Sequence, residues 1–245
     1  MSIIVPTYNE RENIRKLIEL LDSNLKEYEY EIVVVDDASP DGTADEAEKL
    51  GKLYPVKVVR RPGKLGLTSA IYDGIRASKG KFVVVMDADL QHPPEVVPRL
   101  IKKLEECDLV VASRYVRGGK IENWSTTRRL MSIGATLIAR IFIPGCVRVH
   151  DPLSGFFAAR REILEHWKPV EPKGYKALVE LLHSAREARV CEEPFIFRGR
   201  VRGKSKLSSK VILAFLKVAL KLGFKRVLLV TGLFLAVLLA ALLAT

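Results

Sequence analysis

The chain has 245 residues, 40 Lys or Arg against 29 Asp or Glu, and a formal net charge of +11. That length allows one sizeable domain with its own core plus an appended segment. The excess basic charge falls almost wholly in residues 198–226, beside an apolar C-terminal run, which favours anionic lipid headgroups over nucleic acid; no RNA-binding signature or aromatic platform is present.

In chain order, residues 2–5 read as a short apolar strand stopped by Pro6. Residues 10–25 carry helical spacing, with Ile14, Leu17, Ile18 and Leu21 on one side. Residues 32–35 give a second buried strand ending in Asp36-Asp37, then come a helix over 43–53, a strand over 56–59 and a helix over 67–77. The apolar run 82–86 is a fourth strand leading into Asp87; a helix over 94–105 and a strand over 109–112 follow. This alternation predicts an α/β fold, a mostly parallel sheet with helices on both faces.

Past Ser113 the alternation breaks. Gly118-Gly119 reads as a flexible joint, residues 125–143 as a helix opening with Arg128 and Arg129, and 156–159 as a short strand. A helix within 174–189 and a strand over 190–197 complete what is expected to be an acceptor-side lobe. Residues 207–224 read as a helix apolar nearly all round, with Lys210, Lys217 and Lys221 in one narrow stripe. That pattern suits a membrane interface, a buried helix with a solvated edge being the other reading. Residues 227–244 are uncharged and would span ~27 Å as a helix, enough for a single transmembrane pass. Lys221, Lys225 and Arg226 flank its N-terminal side, which places the rest on the cytoplasmic face. No signal segment opens the chain, and the odd, scattered Cys107, Cys146 and Cys191 predict a reducing cytosolic setting.

In open α/β sheets ligands bind at the carboxyl ends of strands. Four loops with polar motifs lie there: residues 6–10, Asp36-Asp37, 61–66 and 87–91. Asp87 and Asp89, two apart, can point their carboxylates the same way. Two like charges so placed are costly without a cation between them, and oxygen ligands suit Mg²⁺ or Mn²⁺ shared with substrate phosphates. The alternative is a polar turn before the helix that starts at His92-Pro93-Pro94-Glu95. His92 and His150 lack ligand spacing with another His and read as ordinary polar neighbours.

Val5-Pro6-Thr7-Tyr8-Asn9-Glu10, the segment from Val35 to Thr43 and that from Asp87 to Glu95 resemble the family 2 glycosyltransferases with the GT-A fold. Gly118-Gly119, Trp124, Arg128-Arg129, Ser132 and Asp151-Pro152-Leu153-Ser154-Gly155-Phe156-Phe157 are similar to the dolichol-phosphate mannose synthases within it. The resemblance implies a GT-A catalytic domain over 1–206, an amphipathic interface helix over 207–225 and a transmembrane helix over 226–245. It implies that Pro6, Tyr8, Glu10, Val35 and Asp37 hold guanosine, and Asp87, Asp89 and Gln91 a Mg²⁺ or Mn²⁺ ion. Asp89, Arg114, Arg128, Ser132 and Arg200 would carry the transfer, the arginines gripping phosphates with Lys206 beside them. The implied reaction moves mannose with inversion from GDP-mannose to dolichyl or another polyprenyl phosphate at a lipid bilayer; a membrane partner subunit is left open.

A glucosyl- or N-acetylhexosaminyltransferase using a UDP-sugar is the nearby alternative. Gly63-Lys64-Leu65-Gly66 lacks the full Walker pattern and is expected to line the donor pocket. A dehydrogenase is disfavoured because no Gly-x-Gly-x-x-Gly follows the first strand. A basic membrane-bound protein without chemistry predicts no metal dependence. Asp151 is read as orienting an arginine or sugar hydroxyls rather than as a base.

Overall fold

A computed structural model describes residues 1–199, 213–224, 226 and 228. Its first half alternates β1 (Ser2–Thr7), α1 (Arg11–Leu25), β2 (Glu31–Asp36), α2 (Thr43–Leu50), β3 (Val56–Arg60), α3 (Leu67–Ala77) and β4 (Phe82–Val85). A 3₁₀ turn then leads into α4 (Val97–Lys103) and β5 (Leu109–Ser113). Side chains alternate between sheet faces. Ile3, Val5 and Val34 pack on α1, α2 and α4, while Ile4, Val33 and Val35 pack on α3. Runs of β-branched residues are therefore buried on both sides, as a helix-covered parallel sheet requires.

The strand predicted to stop at Pro6 runs through it. Pairing of β1 with β4 ends at Ile4↔Val85, and Met86 N donates to Ile4 O. Pro6, two residues on, turns its missing N–H to the same side, where no ladder remains to be broken.

The second half supplies β6 (Lys120–Ile121), α5 (Thr126–Phe142), β7 (Phe157–Arg160), α6 (Arg161–Glu165), α7 (Ala177–Ser184), β8 (Val190–Pro194) and β9 (Ile196–Phe197). The main sheet runs β3-β2-β1-β4-β7-β5-β8, with β7 inserted antiparallel between β4 and β5. The strand expected over 190–197 is thus two: β8 extends the main sheet, and after Phe195 β9 leaves to pair with β6. Two-residue strands such as β6 and β9 are too short to show a sequence period.

The thiol expectation is overturned. Cys107 and Cys191 form a disulfide with Cα atoms 6.1 Å apart, because Cys191 lies on β8 next to β5, two residues beyond Cys107. Sheet neighbours 84 residues apart leave no sequence spacing to read. Only Cys146 is free, and it is buried. Disulfides are uncommon in the cytosol but common in intracellular proteins of hyperthermophiles, so the cysteines no longer speak for a reducing compartment.

Residues 213–224 form α8. It buries Phe215, Val218 and Ala219 in the core on the α3 side of the sheet, and Gly223 abuts the backbone of Phe142 at the end of α5. The lysine stripe expected to face headgroups is partly engaged elsewhere: Lys217 and Lys221 lie 3.4 and 3.2 Å from the Glu171 carboxylate. Lys210 and the span over 227–244, apart from residue 228, lie outside the described residues. Among the described residues no helix is long and apolar enough to cross a membrane.

Candidate active site

The loops after β1, β2 and β4 each contain one non-glycine residue in the left-handed region: Asn9 (φ 58°), Ala38 (φ 55°) and Leu90 (φ 61°). For Ala and Leu that conformation costs about 1–2 kcal/mol. Such strain persists only where the surroundings enforce it, and it concentrates at functional sites. Here the enforcement is visible. Asp36 accepts hydrogen bonds from Thr7 Oγ1 (2.9 Å), Ser39 N (2.8 Å) and Ser39 Oγ (2.6 Å), and Asn9 N donates to Ser39 Oγ (2.9 Å), tying the first two loops together.

Asp37, the second acid of the pair, faces a cavity of about 490 Å³ lined also by Pro6, Tyr8, Glu10, Lys64, Lys173, Asp87 and Asp89. Its carboxylate pairs with the buried Arg61 guanidinium and accepts from Gly66 N (3.1 Å). A side chain on Gly66 would meet the Lys173 backbone at 2.6 Å, so this glycine (φ 107°) lets the 172–174 segment close the cavity wall. Lys64 Nζ sits 3.7 Å from the Tyr8 ring centroid. Val35, expected among the guanosine contacts, is fully buried beneath α3, so its side chain does not reach the cavity.

Asp87 and Asp89 also line a second cavity, of about 630 Å³, so both carboxylates sit at the junction of the two. Burial, with Asp89 adding like charge, pushes the Asp87 carboxyl above its ordinary value. Asp87 N donates to Nδ1 of His92 (3.0 Å), a ring buried against Phe156 and kept neutral by that burial. His92 is thus a structural part of the site. Gln91 lines the second cavity only; its Nε2 donates to Arg198 O (3.0 Å) and its backbone carbonyl accepts from Arg198 N (3.2 Å). Two neighbouring carboxylates offering oxygen alone, the charged form of one disfavoured by burial and then by the other's charge, fit a hard divalent ion whose remaining ligands come from a bound phosphate. Among the described residues no three His, Cys, Asp or Glu cluster to hold a metal unaided.

The second cavity has a cationic end and an apolar body. Arg114, Arg128, Ser132 and Lys176 lie among its lining with Met131, Ile138, Leu153, Phe215 and Leu216. Arg114 donates from Nε and Nη2 to the two oxygens of Asp151, each at 2.7 Å, and its backbone N adds a third bond (3.0 Å). Asp151 is 0% exposed, and its carboxylate faces Arg114. Tyr115 OH donates to Ser132 Oγ (2.8 Å), and the Arg128 guanidinium lies 4.2 Å from the Trp124 ring centroid. Lys176 donates to Leu153 O (2.9 Å); burial, reinforced by Arg114, lowers its pKa to about 8.

The structure therefore gathers Pro6, Tyr8, Glu10, Asp37, Asp87, Asp89, Gln91, Arg114, Arg128 and Ser132 around two joined cavities. Arg200 and Lys206 lie outside the described residues. Sequence reading placed Arg61 in a strand-end loop of the site but gave it no role, and it missed Tyr115, Lys173, Tyr175 and Lys176. The last three share the segment entering α7, which follows no strand end and so gave no positional signal.

Comparison with known proteins agrees with this geometry. Residues 2–167 match glycosyl transferase family 2. A dolichol-phosphate mannosyltransferase of Pyrococcus furiosus is 48% identical over 89% of this chain, which spans 62% of that relative's length. The Saccharomyces cerevisiae protein of the same name is 38% identical over 88% of this chain and 84% of its own. The fold is shared with glucosyl-3-phosphoglycerate synthase from Mycobacterium tuberculosis, solved with Mg²⁺ and UDP: TM-score 0.66, 23% identity, 88% of this chain and 78% of that one. With its strand-end acidic loops, mostly parallel sheet and paired cavities, this chain belongs to glycosyl transferase family 2 and groups there with relatives named dolichol-phosphate mannosyltransferase.

Proposed function

We propose that this chain transfers mannose from GDP-mannose to a dolichyl or other polyprenyl phosphate, with inversion at the anomeric carbon. One observation carries the reading: a cavity of nucleotide size lined by Glu10, Asp37, Lys64 and Lys173 and a largely apolar one with a cationic end meet at Asp87 and Asp89. A charged donor and a lipid-linked phosphate need such a pair. The names of the relatives support the choice of sugar and acceptor.

Tyr8 offers a stacking face to the base, and Asp37 and Glu10 offer acceptors to base or ribose hydrogens. Asp87 and Asp89, with Gln91 as a candidate third oxygen, would hold Mg²⁺ or Mn²⁺. When bound, that ion would neutralise the diphosphate as it departs. Arg114, Arg128 and Lys176 offer positive charge to the acceptor phosphate at the near end of the apolar cavity, with Ser132 beside them. A phosphate monoester is already largely ionised near neutral pH, so no residue need remove a proton first. Asp151 accordingly serves to hold Arg114. The chain's contribution is orientation and charge compensation on both sides of one carbon. We extend the acceptor-side cation set to Arg200 and Lys206 on the resemblance alone.

The acceptor cavity borrows walls from α5 and α8, which expose Leu130, Met131, Leu137 and Ile141, and Leu213, Leu220 and Phe224. Apolar side chains exposed in such number mark a surface that meets lipid or protein. We assign it to the cytoplasmic face of a bilayer, with 207–225 along the interface and 226–245 as the anchor; the uncharged run 227–244 supports this. Radiolabel from GDP-mannose should enter an organic-extractable lipid when polyprenyl phosphate is supplied, and EDTA should abolish it. Transfer from UDP-glucose in preference to GDP-mannose would replace the donor assignment, and no transfer from either would remove the reading.

A further inference from the structure

Trp124 belongs to neither strand nor helix, yet it lies under both arginines of the acceptor cavity. The Arg128 guanidinium is 4.2 Å and that of Arg114 5.5 Å from its ring centroid. Its own ring is edge-on to Phe197 (5.4 Å, 73°). Phe197 is edge-on to His92 (5.7 Å, 70°), whose Nδ1 accepts from the backbone of Asp87. A continuous stack thus runs from the backbone of the junction carboxylate to the guanidinium of Arg128.

The indole Nε1–H is buried and has no hydrogen-bond partner among the described residues. Leaving a buried donor unmatched is unfavourable, so a ring that needs no N–H, such as Phe or Leu, would sit there at less cost. What Trp offers over those is the most electron-rich face for a guanidinium. Arg128 is a long side chain in the first turn of α5, where Ser125 caps its backbone N–H (3.3 Å). Stacking on the ring restricts its rotamers and aims its fork into the cavity.

We infer that Trp124 is a positioning residue for Arg128, holding its guanidinium in the place where the acceptor phosphate must dock. This rests on the proposed function, since it assumes that Arg128 meets that phosphate. The two failures can be told apart in one assay, mannose transfer from GDP-mannose to a water-dispersed polyprenyl phosphate.

With an active wild type, Trp124→Leu should raise KM for the lipid phosphate about 3- to 30-fold, the range a cation–π contact spans. KM for GDP-mannose and calorimetric GDP binding should stay as in wild type. In an Arg128→Ala background the same substitution should have little further effect, because the group it positions is gone. Trp124→Phe, which keeps a weaker π face, should give an intermediate rise. Effects of Trp124→Leu and Arg128→Ala that multiply in full, or a parallel rise in donor KM, overturn the inference. If Trp124→Leu fails to bind GDP because it does not fold, Trp124→Phe decides: a smaller rise that vanishes without Arg128 supports the assignment, and no rise overturns it. A wild type inert towards every polyprenyl phosphate removes the proposed function and this inference together, whereas an active wild type with an indifferent Trp124 removes the inference alone.

Discussion

The donor and acceptor cavities share Asp87 and Asp89 but are held together by different forces. Around the donor cavity the walls are strand-end loops, cross-tied by short charge-assisted hydrogen bonds such as those converging on Asp36 and Asp37. Around the acceptor cavity they are helix faces and an aromatic stack, with cations lying on rings or deep among apolar groups. Hydrogen-bonded loops demand particular residues at fixed offsets and so leave motifs. Packed walls demand only shape and polarity, supplied by residues far apart along the chain.

The largest expected effect is at the junction. Asp89→Ala should lower transfer by about 10²- to 10³-fold or more and affect the thermal midpoint far less, because removing one of two like charges at the junction relieves their repulsion. A variant equally impaired in stability would mean that the carboxylate pair is scaffolding, and the two cavities would then have no common chemical centre.

That contrast also explains what could be read from the residues. Helix α3 was bounded correctly from periodicity alone, and β1, β2, β4 and β5 within two residues, because each is a buried apolar run with polar ends. Pro6, Tyr8, Asp37, Asp87 and Asp89 were legible because strand ends announce where ligands go. Lys173, Tyr175 and Lys176 were not: they reach the site through the fold, from a segment whose local sequence resembles any polar loop. The bond between Cys107 and Cys191 was hidden for the same reason, and Val35 was placed in the site by resemblance although its side chain belongs to the core.

Asp151 tests whether the acceptor side is a frame or a reacting group. Breaking a buried ion pair by altering one partner costs about 3–5 kcal/mol, and Arg114 is itself buried. Asp151→Asn should therefore lower the thermal midpoint by more than about 5 °C, with acceptor KM rising as Arg114 loses its anchor. If kcat fell with the midpoint and acceptor KM intact, Asp151 would be a base and the acceptor side would carry chemistry of its own.

Lys176 sharpens the contrast through pH. Its pKa, lowered to about 8 by burial and then by Arg114, means that the cavity loses a positive charge as pH rises through that value. Affinity for lipid phosphate should fall on that limb by about tenfold at most, and Lys176→Arg should flatten it. Stability has the opposite sign. Between about 8 and the ordinary lysine value of 10.5 the unfolded chain binds the proton that the folded protein has released, so stability rises across that window. Parallel pH profiles of acceptor KM and thermal midpoint should therefore diverge above pH 8, and in Lys176→Met both should be flat there.

The smallest effect concerns how firmly α8 belongs to the acceptor wall. Its polar tie is Glu171, reached by Lys221 at 3.2 Å and Lys217 at 3.4 Å, with the two lysines 44% and 63% exposed. Pairs this open to solvent contribute about 0–1 kcal/mol. The carboxyl is held below its ordinary value chiefly by its hydrogen bond from Lys221, so the contribution is present above that ordinary value and fades as pH falls through the lowered one. Glu171→Gln should accordingly move the thermal midpoint by no more than about 2–4 °C, less in high salt, and leave acceptor KM alone, because Phe215, Val218 and Ala219 hold the helix by burial. A clear rise in acceptor KM at low salt, suppressed at high salt, would show instead that ion pairs set the acceptor wall as they set the donor loops, and the division between the two cavities would have to be drawn at α8 rather than at Asp87 and Asp89.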